Sequence, residues 1–157
     1  MAKLSGRFLI SLKLNHLTET GAVVIYKIQS KLVKDRTLKE KLQRFSRDEN
    51  MHKNELNKII IKYGSYPLPL EKITRLFSTI IGFFSAIGGQ YTILKTDIYL
   101  EKSGILTYRK QKGFLLDKVD NETIEKYNVF IKMEEGHLKW LTEWARSRLP
   151  NTYKKRL

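Results

Sequence analysis

The chain of 157 residues contains no cysteine, which excludes disulfides, iron–sulfur clusters, thiolate zinc sites and cysteine nucleophiles. Any metal site must therefore be made of carboxylates and imidazoles, a donor set that suits iron, manganese or zinc. Prolines number three, two of them in Tyr66-Pro67-Leu68-Pro69. Strand-like alternation is scarce, so little interrupts long helices except that turn. Acidic residues are also few: sixteen against thirty Lys and Arg, for a formal charge of +14. Such an excess attracts polyanions, nucleic acid and anionic membrane among them. The cations are spread along the chain, however, with one cluster at Lys154–Arg156. No zinc-finger spacing, RNP-like motif or G-x-x-G loop accompanies them, so nucleic acid is not expected as a partner. A long apolar run is missing too. Leu76–Leu94 is uncharged over nineteen residues but holds three glycines and five polar residues, short of the roughly 20 mostly apolar residues of a membrane span. It reads as a helix with one apolar face turned to lipid. Met1–Ile10 has a weak basic start and no long apolar stretch before a small-residue cleavage site, so no signal peptide is expected there.

What the chain does have is helical spacing of apolar residues. A first stretch runs from about Phe8 to Lys34, with Ile10, Leu14, Leu17, Val24 and Ile28 at helical intervals. A second runs from about Leu38 to Tyr63 and meets Gly64, a C-capping residue type. A third begins near Leu70 and reaches about Lys110, with a break expected at Gly88-Gly89. The fourth covers about Asn121 to Ser147, where Asn121 makes a half-formed cap signal. Pro150 and a basic tail over about 150–157 close the chain. The whole is expected to be one all-α domain, residues 1–157.

Two Glu-x-x-His motifs stand out: Glu49-Asn50-Met51-His52 and Glu134-Glu135-Gly136-His137. Residues three apart on a helix share a face, so each motif aims a carboxylate and an imidazole in one direction. One such motif is commonly a solvated Glu beside an exposed His. Two copies on two long helices use two of the chain's three histidines, and that is the donor pattern of ferritin-like di-iron bundles, which add one Glu from each remaining helix. The first helix offers Glu19, its only acidic residue, set among small and apolar neighbours. A buried carboxylate costs several kcal/mol unless paired or bound to a cation. The third offers Asp97 and Glu101, one turn apart, and spacing alone does not choose between them. The expected fold is a ferritin-like four-helix bundle with a long crossover between helices 2 and 3.

At these residues the sequence resembles the demethoxyubiquinone hydroxylases of ubiquinone biosynthesis. Their first helix carries Asp-His-Ala-Gly-Glu-x-Gly-Ala-x-x-Ile-Tyr-x-Gly-Gln, and His16, Glu19, Gly21, Ala22, Ile25, Tyr26 and Gln29 agree with it in position. Gly89, Glu101 and Tyr108 reproduce the family's intervals in the third helix, which favours Glu101 over Asp97. Met133-Glu134-Glu135-Gly136-His137 is similar to the family's Asp-Glu-x-Glu-His. Asn15, Leu17, Thr18 and Ile28 depart from the pattern in a way that would reshape a substrate channel. Thr107 stands where the family has His, a change expected to touch the surroundings of the metal ligands.

The resemblance implies a monooxygenase with two iron ions per chain and NADH as electron donor. Its metal ligands would be Glu19, Glu49, His52, Glu101, Glu134 and His137. Glu49 and Glu134 would bridge, each His would sit on one iron, and Glu19 and Glu101 would be terminal. Tyr108 would hydrogen-bond a ligand or relay an electron, unless it is simply a packed aromatic with its hydroxyl satisfied. The substrate would be a polyprenylated quinone, reached by peripheral attachment to the cytoplasmic face of the inner membrane, and homo-oligomer formation is left open. Two other readings compete. A rubrerythrin-like peroxidase or ferritin-type iron oxidase would keep the bundle and change the reaction. A non-catalytic protein binding nucleic acid or membrane through its charge would hold no tight metal.

Overall fold

The computed structural model describes residues 6–116 and 118–150. The expected basic tail beyond Pro150, with Lys154–Arg156, lies outside the described residues, as does Met1–Ser5. Within them the chain is all helical, with five helices and no strand: α1 (Gly6–Leu32), α2 (Arg36–Lys62), α3 (Glu71–Ile87), α4 (Gly89–Leu115) and α5 (Asn121–Arg148).

Local chemistry sets the boundaries. Asp35 caps α2 by accepting from the Leu38 amide at 2.9 Å, and Asp120 caps α5 through the Thr123 amide at 2.9 Å. Each satisfies an amide that the first turn leaves without a partner. The α5 cap is thus Asp120, one residue before the expected Asn121. At the end of α2, Gly64 takes φ +75°. Its amide reaches the Ile61 carbonyl (2.9 Å) and the Ser65 amide reaches that of Ile60 (3.1 Å), a Schellman ending that needs a left-handed residue. The third stretch, Leu70 to about Lys110, divides into two helices at the expected Gly88-Gly89, because Gly89 sits at φ +82° and breaks the helical hydrogen-bond ladder.

Two buried apolar clusters fix how the helices run. One contains Ala22 and Tyr26 of α1, Leu38, Leu42 and Phe45 of α2, Ile93, Leu94 and Ile98 of α4, and Leu141 and Trp144 of α5. The other takes Phe8 and Leu12, then Leu56, Ile59 and Ile60, then Tyr108 and Leu115, then Tyr127 and Phe130 from the same four helices. Helices α1 and α5 therefore enter at the second cluster and leave at the first, whereas α2 and α4 do the reverse. Since α2 and α4 run the same way, the chain must return along the length of the others between them. Helix α3, about 26 Å long at 1.5 Å per residue, makes that return and packs on α1.

The contact between α3 and α1 is built from small residues. The buried positions of α3 are Ser78, Gly82 and Ser85, and a Cβ added at Gly82 would lie 3.2 Å from the backbone of Ile25. The outward side is apolar instead: Leu76, Phe77, Phe84 and Ile87 are each more than 60% exposed. No helix among the described residues is long and apolar enough to cross a membrane. Because helix backbone cannot retreat as a side-chain tip can, Gly82→Val is expected to cost about 1–3 kcal/mol in chemical denaturation. Gly136→Ala, at an exposed helical site with open space around it, should be neutral or stabilising by up to about 1 kcal/mol.

Candidate metal centre

Between the two apolar clusters lies one polar layer. Glu19 of α1, Glu49 and His52 of α2, Glu101 of α4, and Glu134 and His137 of α5 all reach it, and all six are buried, His137 being the most exposed at 6%. They form two groups of four: Glu19, Glu49, His52 and Glu134, and Glu49, Glu101, Glu134 and His137, with one donor atom per residue within 4.8 Å of the others in each group. Glu49 and Glu134 belong to both. His52 Nδ1 stands 3.2 Å from Glu49 Oε2 and 3.2 Å from Glu134 Oε1, while His137 Nδ1 stands 3.2 Å from Glu49 Oε1. The two carboxylate oxygens of Glu49 thus face one histidine each.

The choice between Asp97 and Glu101 is resolved by this geometry. Asp97 is buried but turns to Gln29, whose Nε2 donates to its Oδ1 at 2.8 Å. The third histidine, His16, is buried outside both groups. Tyr108 donates to Glu19 Oε1 at 2.6 Å, so its hydroxyl is engaged by one of the cluster's carboxylates. Thr107 does not act on the cluster as expected, because its hydroxyl bonds the Ser103 carbonyl of its own helix at 2.9 Å.

Three residues escaped the sequence reading. Tyr26 donates to Glu101 Oε1, the counterpart of the Tyr108–Glu19 bond. The signal was available, since Tyr26 follows Glu19 by the same seven residues that separate Tyr108 from Glu101. Asp48 accepts from His137 Nε2 at 3.1 Å, a contact between distant helices that spacing within α2 does not reveal. Gly104 leaves room for Glu134, whose Oε2 would stand 3.2 Å from an added Cβ.

Four carboxylates in a dry layer repel one another, and the protonation pattern records it. Burial pushes the Glu19 carboxyl well above its ordinary range, reinforced by the charges of Glu49 and Glu134. Burial does the same to Glu101, again with Glu134 and Glu49 adding to it. Both carboxyls therefore favour the protonated form, which lessens the repulsion among the four. Burial opposes a charge on His52, yet the carboxylates of Glu134 and Glu49 outweigh it and lift the imidazole to about 10. Burial would also raise Glu49, but its contacts with His137 and His52 hold it well below the usual carboxylate range.

The residues fit a pair of divalent cations. His137 Nδ1 is buried with no hydrogen-bond partner although Glu49 Oε1 lies 3.2 Å away. Glu49 Oε1 and Glu101 Oε2 are likewise buried without a partner. Acceptor atoms facing acceptor atoms need a cation between them. Four ionised carboxylates with two neutral imidazoles balance two divalent ions, and each group of four supplies three carboxylates and one nitrogen, a set suited to iron or manganese.

The family model for ubiquinone biosynthesis protein COQ7 matches residues 9–143, a span that contains all six residues of the cluster. No curated protein matches the chain.

Two outcomes are expected. In the metal-free protein, Glu19, Glu101 and His52 keep protons in the folded state at pH values where the unfolded chain has released them. Their stabilisation is complete below the ordinary values of 4.5 and 6.5 and is lost as pH rises, through about 10 for His52. The melting temperature should therefore fall between pH 6 and 9, and ferrous or manganous ion should raise it and flatten the slope while releasing protons. A melting temperature indifferent to both pH and metal would contradict this electrostatic account. Asp48→Asn should weaken metal binding about 10–100-fold in a competition titration, with the helical circular dichroism unchanged.

Proposed function

We propose, on the premise that the chain belongs to the ubiquinone biosynthesis protein COQ7 family, that it is a di-iron monooxygenase hydroxylating the ring of a demethoxyubiquinone. Membership itself gives the chain a role in ubiquinone biosynthesis. The observation that carries the finer reading is the pair of four-residue groups sharing Glu49 and Glu134. The order Glu, Glu-x-x-His, Glu, Glu-x-x-His over α1, α2, α4 and α5, with α3 as the crossover, supports a ferritin-like bundle.

Glu19 and His52 would hold one ion, Glu101 and His137 the other, and Glu49 and Glu134 both. Two ferrous ions, when bound, supply the activation of dioxygen. The overall change balances as demethoxyquinone, O2, NADH and a proton giving the ring-hydroxylated quinone, water and NAD+. The protein's own contribution is positioning. Tyr108 and Tyr26 keep their hydroxyl protons on Glu19 and Glu101, which fixes the rotamers of both terminal carboxylates. Burial pushes both tyrosines well above their ordinary range, so they stay protonated donors. The apolar clusters on either side exclude water, which strengthens the electrostatics inside. Asp48 orients the His137 ring through its Nε2.

A polyprenylated substrate lives in the bilayer, and the outward apolar side of α3 supports peripheral attachment to a membrane, for which the cytoplasmic face of the inner membrane is the proposed place. No NADH-binding fingerprint is needed for this reading, since the family takes electrons from NADH without a flavin domain.

The deciding experiment loads iron anaerobically, then adds NADH, air and a short-chain demethoxyubiquinone and reads product mass. A gain of one oxygen atom, lost in Glu134→Ala with the fold retained, is the expected result. Two bound irons with no hydroxylated product and rapid peroxide consumption would move the function to a peroxidase on the same bundle.

A further inference from the structure

We infer that the cleft between α1, α2 and the start of α3 is a headgroup site for an anionic phospholipid, whose acyl chain lies in the adjoining apolar groove of α3. The inference rests on the membrane attachment proposed above and names its lipid partner. The cleft encloses about 560 Å³ and is lined by Lys27 and Lys31 of α1, Gln43, Arg47 and Asn50 of α2, and Arg75 of α3. No carboxylate lines it. Arg75 is paired with Glu71 at 2.8 Å, but among the described residues no ion pair engages Lys27, Lys31 or Arg47. Cations gathered in one concavity without a counter-charge repel one another, and a bound anion relieves that repulsion. The neutral side chains Gln43 and Asn50 add hydrogen-bond donors suited to phosphate oxygens.

What selects a lipid over a soluble anion is the neighbouring surface. A groove of about 380 Å³ opens between α1 and α3, walled by Ile28, Leu32, Ile80, Phe83 and Phe84. Lys31 lines both the cleft and this groove, so charge and apolar surface meet at one residue. A ligand with a phosphate at one end and hydrocarbon at the other satisfies both, whereas a free phosphate would leave the groove to water. The exposed Phe77 and Ile87 on the same helix extend the apolar surface into the plane where the rest of the bilayer would lie. Bound in this way, the lipid fixes which side of α1 and α3 faces the membrane, rather than merely drawing a basic protein to a negative surface.

The test is binding to vesicles of phosphatidylcholine alone and with phosphatidylglycerol, compared for the unaltered protein, Lys27→Gln/Arg47→Gln, and Lys132→Gln/Lys139→Gln on α5. Each cation near a bilayer contributes about five-fold to affinity. The cleft pair should therefore lower affinity for phosphatidylglycerol vesicles about ten-fold or more, and the α5 pair less than about three-fold. Turnover of a short-chain quinone in detergent should not change in either. Equal losses in the two pairs would mean a diffuse field and would overturn the site, as would no loss in the cleft pair. Glycerol phosphate binding in solution as strongly as vesicles would reassign the cleft to a soluble anion. If the unaltered protein binds neither kind of vesicle, the membrane attachment itself fails, a result separable from failure of the cleft alone.

Discussion

Four carboxylates that must share one dry layer govern the rest of this structure. Each isolated carboxylate in such a place costs several kcal/mol, and here they also repel one another. The fold answers on two scales. Locally, protons, two imidazoles and two tyrosine hydroxyls occupy the spaces between the oxygens, and a glycine at 104 keeps Glu134 from being pushed aside. Globally, two apolar clusters close the layer from both ends of the bundle. Those clusters stabilise the fold, and the layer between them gathers carboxylates and imidazoles that could hold a metal ion. Stability and capacity for metal thus rest on the same electrostatic constraint.

The topology follows from that layer as well. For all four helices to place their donors at one level, α1 must run against α2 and α4 against α5, and α2 and α4 end up parallel. A parallel pair cannot be joined by a short turn, so a crossover is obligatory, and α3, packed on α1, provides it. Lying there, it contacts α1 through the small residues Ser78 and Gly82, while Ser85 accepts from Gln29 and Ala86 packs on the first apolar cluster. Its large side chains have nowhere to go but outward. The exposed apolar face of α3 is a consequence of how the site is assembled, and the same helix carries Arg75 beside the basic cleft.

The residues that were legible in the sequence are those whose chemistry is local to one helix. Glu49 and His52, or Glu134 and His137, share a face by spacing alone, and Glu19 was conspicuous as the one acid of α1. The division of the helix after Leu70 was legible only as a weak point at Gly88-Gly89, because glycine permits the φ of +82° without requiring it. Spacing alone left Asp97 and Glu101 open and the family's intervals favoured Glu101, while the bond from Gln29 to Asp97 shows where the other acid turns. Asp48 was invisible because its partner lies on α5, and nothing within α2 distinguishes it from a solvated acid. Tyr26 was quoted for its position in a pattern, yet its role depends on reaching across from α1 to Glu101. Thr107 was expected beside the metal ligands because the family has His there, whereas its hydroxyl bonds the Ser103 carbonyl of its own helix.

The centre has an approximate two-fold logic with one break in it. Helices α1 and α4 each carry a Glu followed seven residues later by a Tyr, and each tyrosine serves the other helix's glutamate. Helices α2 and α5 each carry Glu-x-x-His, and both of those glutamates face both halves. Neither half is complete alone, so the two positions form together or not at all. The symmetry fails at the histidines. His137 gives its Nε2 to Asp48, whereas the His52 Nε2 has no hydrogen-bond partner and the ring lies against Phe130, with centroids 4.8 Å apart. The two groups are therefore alike in donor set and differ in what stands behind each imidazole, Asp48 for His137 and no polar partner for His52, while both rings lie against a phenylalanine, His137 with Phe45 at 4.0 Å.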